Sequence, residues 1–338
     1  MSSTVVKERP GVRSEIGGVS EFMEKNFRHF NARETLEAAR AFRGHVDGGG
    51  KMFLALAGAM STGELGVSLA RMIREGKIHA ISSTAANLEE DIFNLLAHDN
   101  YRMVTDYRDL TPEKELALRD QGYNRVTDTC IPENAMRLLE KEIILGLCAE
   151  AAEKGESYFP WEYLYKLFDR GKIQKHFCIS TENSWVYAAW EKGIPIYTPG
   201  WEDSTLGNFF AAGVIDGRVK SHRAMRMGTE FMEHLVDWYF KTSKESSIGF
   251  FQIGGGIAGD FSICAVPLIL QDLKRKNVPL WGYFAQISDS TTSYGSYSGA
   301  VPNEKITWYK ISPDTPRFMI QSDATIVAPL IFSYVLGD

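Results

Sequence analysis

A carboxylate, an indole and a lysine stand within seven residues near the end of this 338-residue chain, as Glu304, Trp308 and Lys310. They close the stretch SDSTTSYGSYSGAVPNEKITWYK at residues 288–310, a Ser/Thr/Gly/Tyr loop followed by TWYK. TWYK reads as a short strand, in which alternate side chains share a face, so Trp308 and Lys310 point the same way. A strand reaching back to Glu304 adds its carboxylate to that face. An aromatic face and a carboxylate can hold an organic cation. A lysine kept there among other cations has a lowered pKa and can act as a nucleophilic amine. The same residues also read as a solvated surface strand with Trp308 turned into the core.

The segments that must position these groups alternate between apolar runs and amphipathic stretches. MFLALAG, IHAISST, FCIST, IPIYTP, SIGFFQIGGG, LWGYFAQIS, ITWYKI and FMIQSD read as strands, most of them apolar throughout. Helices are expected after them, one with Ser61 or Thr62 near its cap and one beginning near Asn87. Strands of this kind alternating with helices imply an α/β fold: a doubly wound, mostly parallel sheet with helices on both faces. Residues 1–20 read as a polar arm and residues 21–338 as one domain, with a helical insertion around residues 100–175. Residues 19–42 suit two short helices, the second capped by Asn31.

In an open parallel sheet, ligands gather beyond the carboxyl ends of the strands. Four loops there are polar or glycine-rich: AGAMSTGELG, STAANLEED, TPGWEDSTLGN and GGGIAGD. Small residues let a backbone approach a pyrophosphate, and a following helix N-terminus favours its charge. Gly254, Gly256 and Gly259 fit GxGxxG between a strand and a helix, although no clear ribose acid follows about twenty residues on. Glu89, Glu90 and Asp91 open a helix, where acids also serve the dipole, and Asp203 could equally be a helix cap. Together the loops make a dinucleotide site credible.

Composition bounds the rest. Hydrophobic residues make up 44% and charged residues 24%, enough for a sizeable core. A net charge of −6 argues against a nucleic-acid binder. Cys130, Cys148, Cys178 and Cys264 form no CxxC pair and the histidines no HExxH, which argues for reduced thiols and against a metal site. No signal peptide and no run of eighteen apolar residues is present, so a cytoplasmic protein without a membrane span is expected.

G-S-Y-S-G-A-x-P-x-E-x-x-x-W-x-K resembles the catalytic segment of the deoxyhypusine synthase family. The likeness runs in order from about Val5 to Tyr334. FLALAGAMSTGELG is similar to the family's first nucleotide loop, STAANLEED to its T-A-G-G-x-E-E-D, and IPIYTPGWEDSTLGN to its I-P-V-x-x-P-x-x-x-D-G-S-L-G-D. FQIGGG matches its triple glycine and SDATIVAPL its A-D-A-S-x-x-x-P-L. The resemblance, especially to the bacterial deoxyhypusine synthase-like branch, implies a doubly wound NAD-binding fold and a homotetramer with sites between subunits. It also implies an aminobutyl transferase that acts on spermidine or a related polyamine. By the same resemblance Lys310 forms the imine, Glu304 and Trp308 contact the polyamine, and Glu90 lies near both ligands. Ala57, Gly58, Ala59, Met60, Ser61, Thr84, Ala85, Asp203, Gly255, Asp323 and Ala324 would bind NAD.

The departures bear on the substrate. Asp260 stands where the family has a general-base histidine, and a buried carboxylate can serve as a base. Tyr297, Tyr294 and Asn208 replace family aspartates. Two carboxylates lost around an amine channel weaken a dication by about 1–3 kcal/mol each. A small amine such as putrescine is therefore expected as acceptor ahead of a protein lysine. An amine dehydrogenase and a non-catalytic NAD- or polyamine-binding protein remain as alternatives.

Overall fold

The computed structural model describes residues 17–295 and 300–338. Among these, nine strands form two sheets. They are β1 (Lys51–Leu56), β2 (Ala80–Ser83), β3 (Arg102–Met103), β4 (Tyr123–Val126), β5 (Thr129–Pro132), β6 (Ile196–Tyr197), β7 (Ile248–Ile253), β8 (Tyr283–Ser288) and β9 (Arg317–Gln321). The larger sheet has the order β6-β2-β1-β7-β8-β9, and every pairing in it is parallel. Counted by its own strands this is 3-2-1-4-5-6, the order of a doubly wound nucleotide-binding sheet. The winding reverses between β1 and β7, where helices leave toward opposite faces and a crevice opens at the carboxyl ends.

Strand alternation explains why both faces are covered. Met52, Leu54 and Leu56 of β1 enter one apolar cluster, while Phe53 and Ala55 enter the other. The first cluster is closed by the helices Phe30–Asp47, Gly66–Arg74 and Ala324–Leu336, the second by Thr229–Thr242 and Ile257–Ile263. The β9 edge is covered as well. Glu34 and Asn31, on the helix Phe30–Asp47, accept hydrogen bonds from the backbone N–H groups of Met319 (3.0 Å) and Gln321 (3.3 Å). A free sheet edge is thereby withdrawn from other chains.

Several local expectations need correction. The run FCIST is not a strand: Cys178 donates its N–H to Leu95 O at 2.8 Å, and a 3-10 turn, Thr181–Asn183, follows. ITWYKI is not one either. Pro302 and Val301 accept i→i+3 bonds that open a short helix, Glu304–Thr307, and Tyr309 takes a φ of 56° that no strand tolerates. The helix after β1 starts at Gly66 rather than at Ser61 or Thr62, because Ser61 is bonded elsewhere. His29, not Asn31, precedes the helix Phe30–Asp47, and Ser204, not Asp203, caps Thr205–Ile215. Residues 100–175 hold the antiparallel sheet β3-β5-β4 beside their helices. Among the described residues, no helix is long and apolar enough to cross a membrane.

Candidate active site

A cavity of about 300 Å³ lies beyond the carboxyl ends of β1, β7, β8 and β9. It is lined by Ala57, Gly58 and Met60, by Ile253 and Gly254, by Ile287, Ser288 and Asp289, and by Ser322, Asp323 and Ala324. The glycines are there for backbone approach. Gly254 has a φ of 76°, and a Cβ on it would come within 3.1 Å of the Ala57 Cβ. A Cβ on Gly259 would fall 2.4 Å from the Gln252 amide, so the helix Ile257–Ile263 can press on β7 only without one. Asp323 caps the helix Ala324–Leu336 through Thr325 N–H at 2.8 Å, which aims that helix's N-terminus at the cavity. Small linings, helix N-termini and carboxylates that can accept from ribose hydroxyls suit a nucleotide.

The β1 loop is held by Asn87, a residue that sequence reasoning placed only as a helix start. Its Nδ2 donates to Gly58 O (2.8 Å) and Thr84 Oγ1 (2.8 Å), and its Oδ1 accepts from Ser61 N–H (2.9 Å). Ser61 Oγ donates to Asn87 O at 2.7 Å and accepts from Trp185 Nε1 at 2.9 Å. Ser61 is thus a buried strut of the loop rather than part of the cavity lining. Thr84 caps the helix Ala85–Ala97, and Ala85 is buried at its first turn.

The three acids of that helix do different work. Glu89 accepts from Thr205 N–H (2.9 Å) and Leu206 N–H (2.8 Å), capping the helix Thr205–Ile215, and burial pushes its pKa up to about 7. Asp91 accepts from Ser184 Oγ and from the backbone of Trp185 and Val186, capping Trp185–Lys192, and burial raises it to about 7 as well. Glu90 faces a second cavity, of about 360 Å³, against β4, β5 and the helix Glu133–Leu139. Burial raises its pKa, and its Oε2 has no hydrogen-bond partner among the described residues.

The lysine segment lies elsewhere. Glu304 starts the helix Glu304–Thr307, Trp308 ends it and is 60% exposed, and the Lys310 ammonium sits 5.9 Å from the Trp308 ring centre. The shared strand face is replaced by a turn, yet the indole and the amine still meet. Trp308 is not a core residue. Trp281 N–H donates to Lys310 O at 3.0 Å, which ties Lys310 to the amino end of β8. The cavity lined by residues 57–60 is at the carboxyl end of the same strand. The lysine with a depressed pKa is Lys305: burial, then Lys310, lowers it to about 8.

The deoxyhypusine synthase family model matches residues 21–335. This chain belongs to the deoxyhypusine synthase family. The family is one of NAD-dependent aminobutyl transferases. The chain is 27% identical over 307 residues to the protein named Probable deoxyhypusine synthase 1 of Archaeoglobus fulgidus, covering 91% of this chain and 90% of that one. It is 29% identical over 336 residues to a deoxyhypusine synthase-like protein of Thermosynechococcus vestitus, covering 94% and 78%. A crystal structure described as a candidate deoxyhypusine synthase from Entamoeba histolytica shares the fold, with a TM-score of 0.56 at 13% identity over 93% of this chain and 91% of that one.

Against this family's expected site, Ala57, Gly58, Met60, Asp323 and Ala324 do line one cavity. Ala59 lies in the same loop, and Gly254 rather than Gly255 reaches the lining. Asp203 is exposed in the turn after β6, its N–H bonded to Gly200 O at 2.9 Å. Asn208 turns its amide back onto Ser204 O at 2.7 Å, and Asp260 is exposed on the helix Ile257–Ile263. Tyr297 lies outside the described residues. Asp289 and Ser288, which sequence reasoning passed over as loop residues, contribute to the cavity. Their place directly after an apolar run was the available signal.

Proposed function

We propose that this chain is a NAD-dependent aminoalkyl transferase that carries the alkyl group of spermidine or a related polyamine as an imine on Lys310 and delivers it to a small amine. The observation that carries the reading is Lys310 itself, kept beside the Trp308 ring at 5.9 Å in a chain whose sheet builds a nucleotide cavity. Oxidation of an amine needs a hydride acceptor but no lysine, whereas group transfer needs a nucleophile to hold the group. Residues 57–60 and the N-terminus of Ala324–Leu336 would hold a pyrophosphate, and Asp289 and Asp323 would accept from ribose hydroxyls. NAD bound there would supply a hydride acceptor and donor.

The remaining work falls to the chain. Lys310 Nζ attacks a carbon already joined to nitrogen, the bond to the departing amine breaks, and the lysine proton leaves with that amine. An acceptor amine then displaces Lys310 by the same exchange. Glu304 and Trp308 favour the cationic ends of such substrates. Asn208 supplies no charge where the family has a carboxylate, which supports a changed donor or acceptor amine. Since Lys310 and the cavity sit at opposite ends of β8, a second copy of the chain would bring the two together.

The test is borohydride trapping of the protein with NAD and a panel of polyamines, read by peptide mass spectrometry. A reduced adduct on the Lys310 peptide is expected, lost in Lys310→Ala, and its mass names the donated group. NAD consumption without any adduct would replace the transferase by an amine dehydrogenase.

A further inference from the structure

Two buried glutamine amides converge on a single carbonyl beside the cavity that Gly254 lines. Gln252 Nε2 donates to Gly254 O at 3.2 Å, and Gln286 Nε2 donates to the same oxygen at 3.0 Å. The two residues are partners in register on β7 and β8, and they are 3% and 0% exposed. Gln252 alternates with Ile248 and Phe250, and Gln286 with Phe284, so both stand on the sheet face of the second apolar cluster. An amide is costly to bury in such a face without a partner. The helix Ile257–Ile263 presses on Gln252, since a Cβ at Gly259 would meet its amide at 2.4 Å.

The consequence lies on the other side of the peptide. No peptide bond among the described residues is cis, so a carbonyl fixed toward the glutamines turns the N–H of the next residue, Gly255, the opposite way. That way leads to the face of the first apolar cluster. Ile253 and Ile287 belong to that cluster and line the cavity, so the cavity opens on the same side. Among the described residues, Gly255 N–H has no acceptor. A peptide between two glycines has no side chain of its own to set its plane, and either orientation is open to it. The two amides decide between them.

We propose that Gln252 and Gln286 are positioning residues, which set the Gly254–Gly255 peptide so that its N–H donates to a phosphate oxygen of the bound dinucleotide. The inference rests on the nucleotide reading of this cavity and adds a donor on β7 to those of residues 57–60 and the helix Ala324–Leu336. Hydrogen bonds from a backbone N–H to an anionic oxygen are among the stronger ones. Without the amides the peptide is free to flip, which sets the Gly254 carbonyl against the phosphate. The donor is then replaced by a repulsive oxygen.

Gln252→Met and Gln286→Met, singly and together, keep the buried bulk and remove the donors. Binding of NAD, ADP-ribose and adenosine to the full-length protein, followed by calorimetry and ligand-observed NMR, tests the proposal. The double variant is expected to bind NAD and ADP-ribose at least about tenfold more weakly, with adenosine within about twofold of the wild type. Each single variant keeps one donor and should lose less; if the double variant fails to fold, the single variants decide by the same comparison. Unchanged ADP-ribose binding overturns the proposal. Equal losses for all three ligands also overturn it, because they show a loosened sheet rather than a misplaced donor. A loss for NAD alone overturns the phosphate assignment and moves the donor to the nicotinamide end. A wild type that binds none of the three fails the nucleotide reading itself, and the proposal with it.

Discussion

At the scale of single residues, the loop after β1 depends most on Asn87. One buried amide satisfies Gly58 O and Thr84 Oγ1 as donor and Ser61 N–H as acceptor. Asn87→Ala leaves these groups unpaired in a dry site, at a cost of about 2–4 kcal/mol, and frees residues 57–60 to move. Asn87→Asp keeps the acceptor for Ser61 but sets a carboxylate oxygen against Gly58 O, so it should fare no better. Urea unfolding and NAD titration check both: each variant should lose stability and bind NAD at least about tenfold more weakly. Unchanged NAD binding in a destabilised protein would confine Asn87 to a structural role. The importance of Asn87 was not legible in the sequence, where it reads as one more polar residue opening a helix. Lys310, Glu304 and Trp308 were singled out by the family resemblance, because their spacing alone read equally as a solvated strand, and that strand is a helical turn. The lowered pKa of Lys305 was not legible, because it arises from burial in the folded turn and then from the Lys310 charge beside it.

Among the elements, those with apolar runs buried on both faces were read correctly, since a buried parallel strand leaves an unbroken hydrophobic segment. Those stabilised by local bonds were not. The strands β3, β4 and β5 are two to four residues long and only partly apolar, so nothing in their composition separates them from loop. ITWYKI was misread because aromatic and β-branched residues favour strands, while Pro302 and Glu304 quietly supply a helix start. The helix Ala85–Ala97 carries a consequence of its own through Glu89. Burial lifts this carboxyl from 4.5 to about 7 although it caps Thr205–Ile215. The folded state therefore holds a proton that the unfolded state releases above its ordinary value. The stability linked to that proton is complete below pH 4.5 and is lost as pH rises through about 7. Relative to Glu89→Gln, the wild type should lose about 3 kcal/mol between pH 4.5 and 8, measured by urea unfolding at fixed chain concentration. Parallel pH profiles for the two proteins would show that Glu89 stays ionised throughout.

Over the whole molecule, the sheet separates the two halves of the proposed chemistry. Lys310 O is bonded to Trp281 N–H before β8 begins, and the cavity lining follows its end at Ser288. Seven residues of strand span about 23 Å, and a lysine side chain recovers only about 6 Å of that. As the turn at residues 304–310 stands, that estimate leaves the amine of one chain short of its own cavity. Apolar groups near both ends lie open, Trp308 and Tyr309 at one and Ile257 and Ile326 at the other, each more than half exposed. A symmetric pair could cover them while setting each Lys310 at the other copy's crevice. Mixing variants tests this directly. Lys310→Ala removes the amine, and Ala324→Trp fills the cavity at the start of Ala324–Leu336; each alone should fail to form the trapped adduct. If the site is shared, co-refolding equal amounts should restore adduct to about a quarter of the wild-type level, because half the pairs are hybrid and each hybrid has one intact site. Restoration carried only by the lysine of the Ala324→Trp chains, distinguished by isotope, would place amine and cavity on different copies. Absence of restoration in mixtures shown to contain hybrids would return both to one chain and require the turn at residues 304–310 to move.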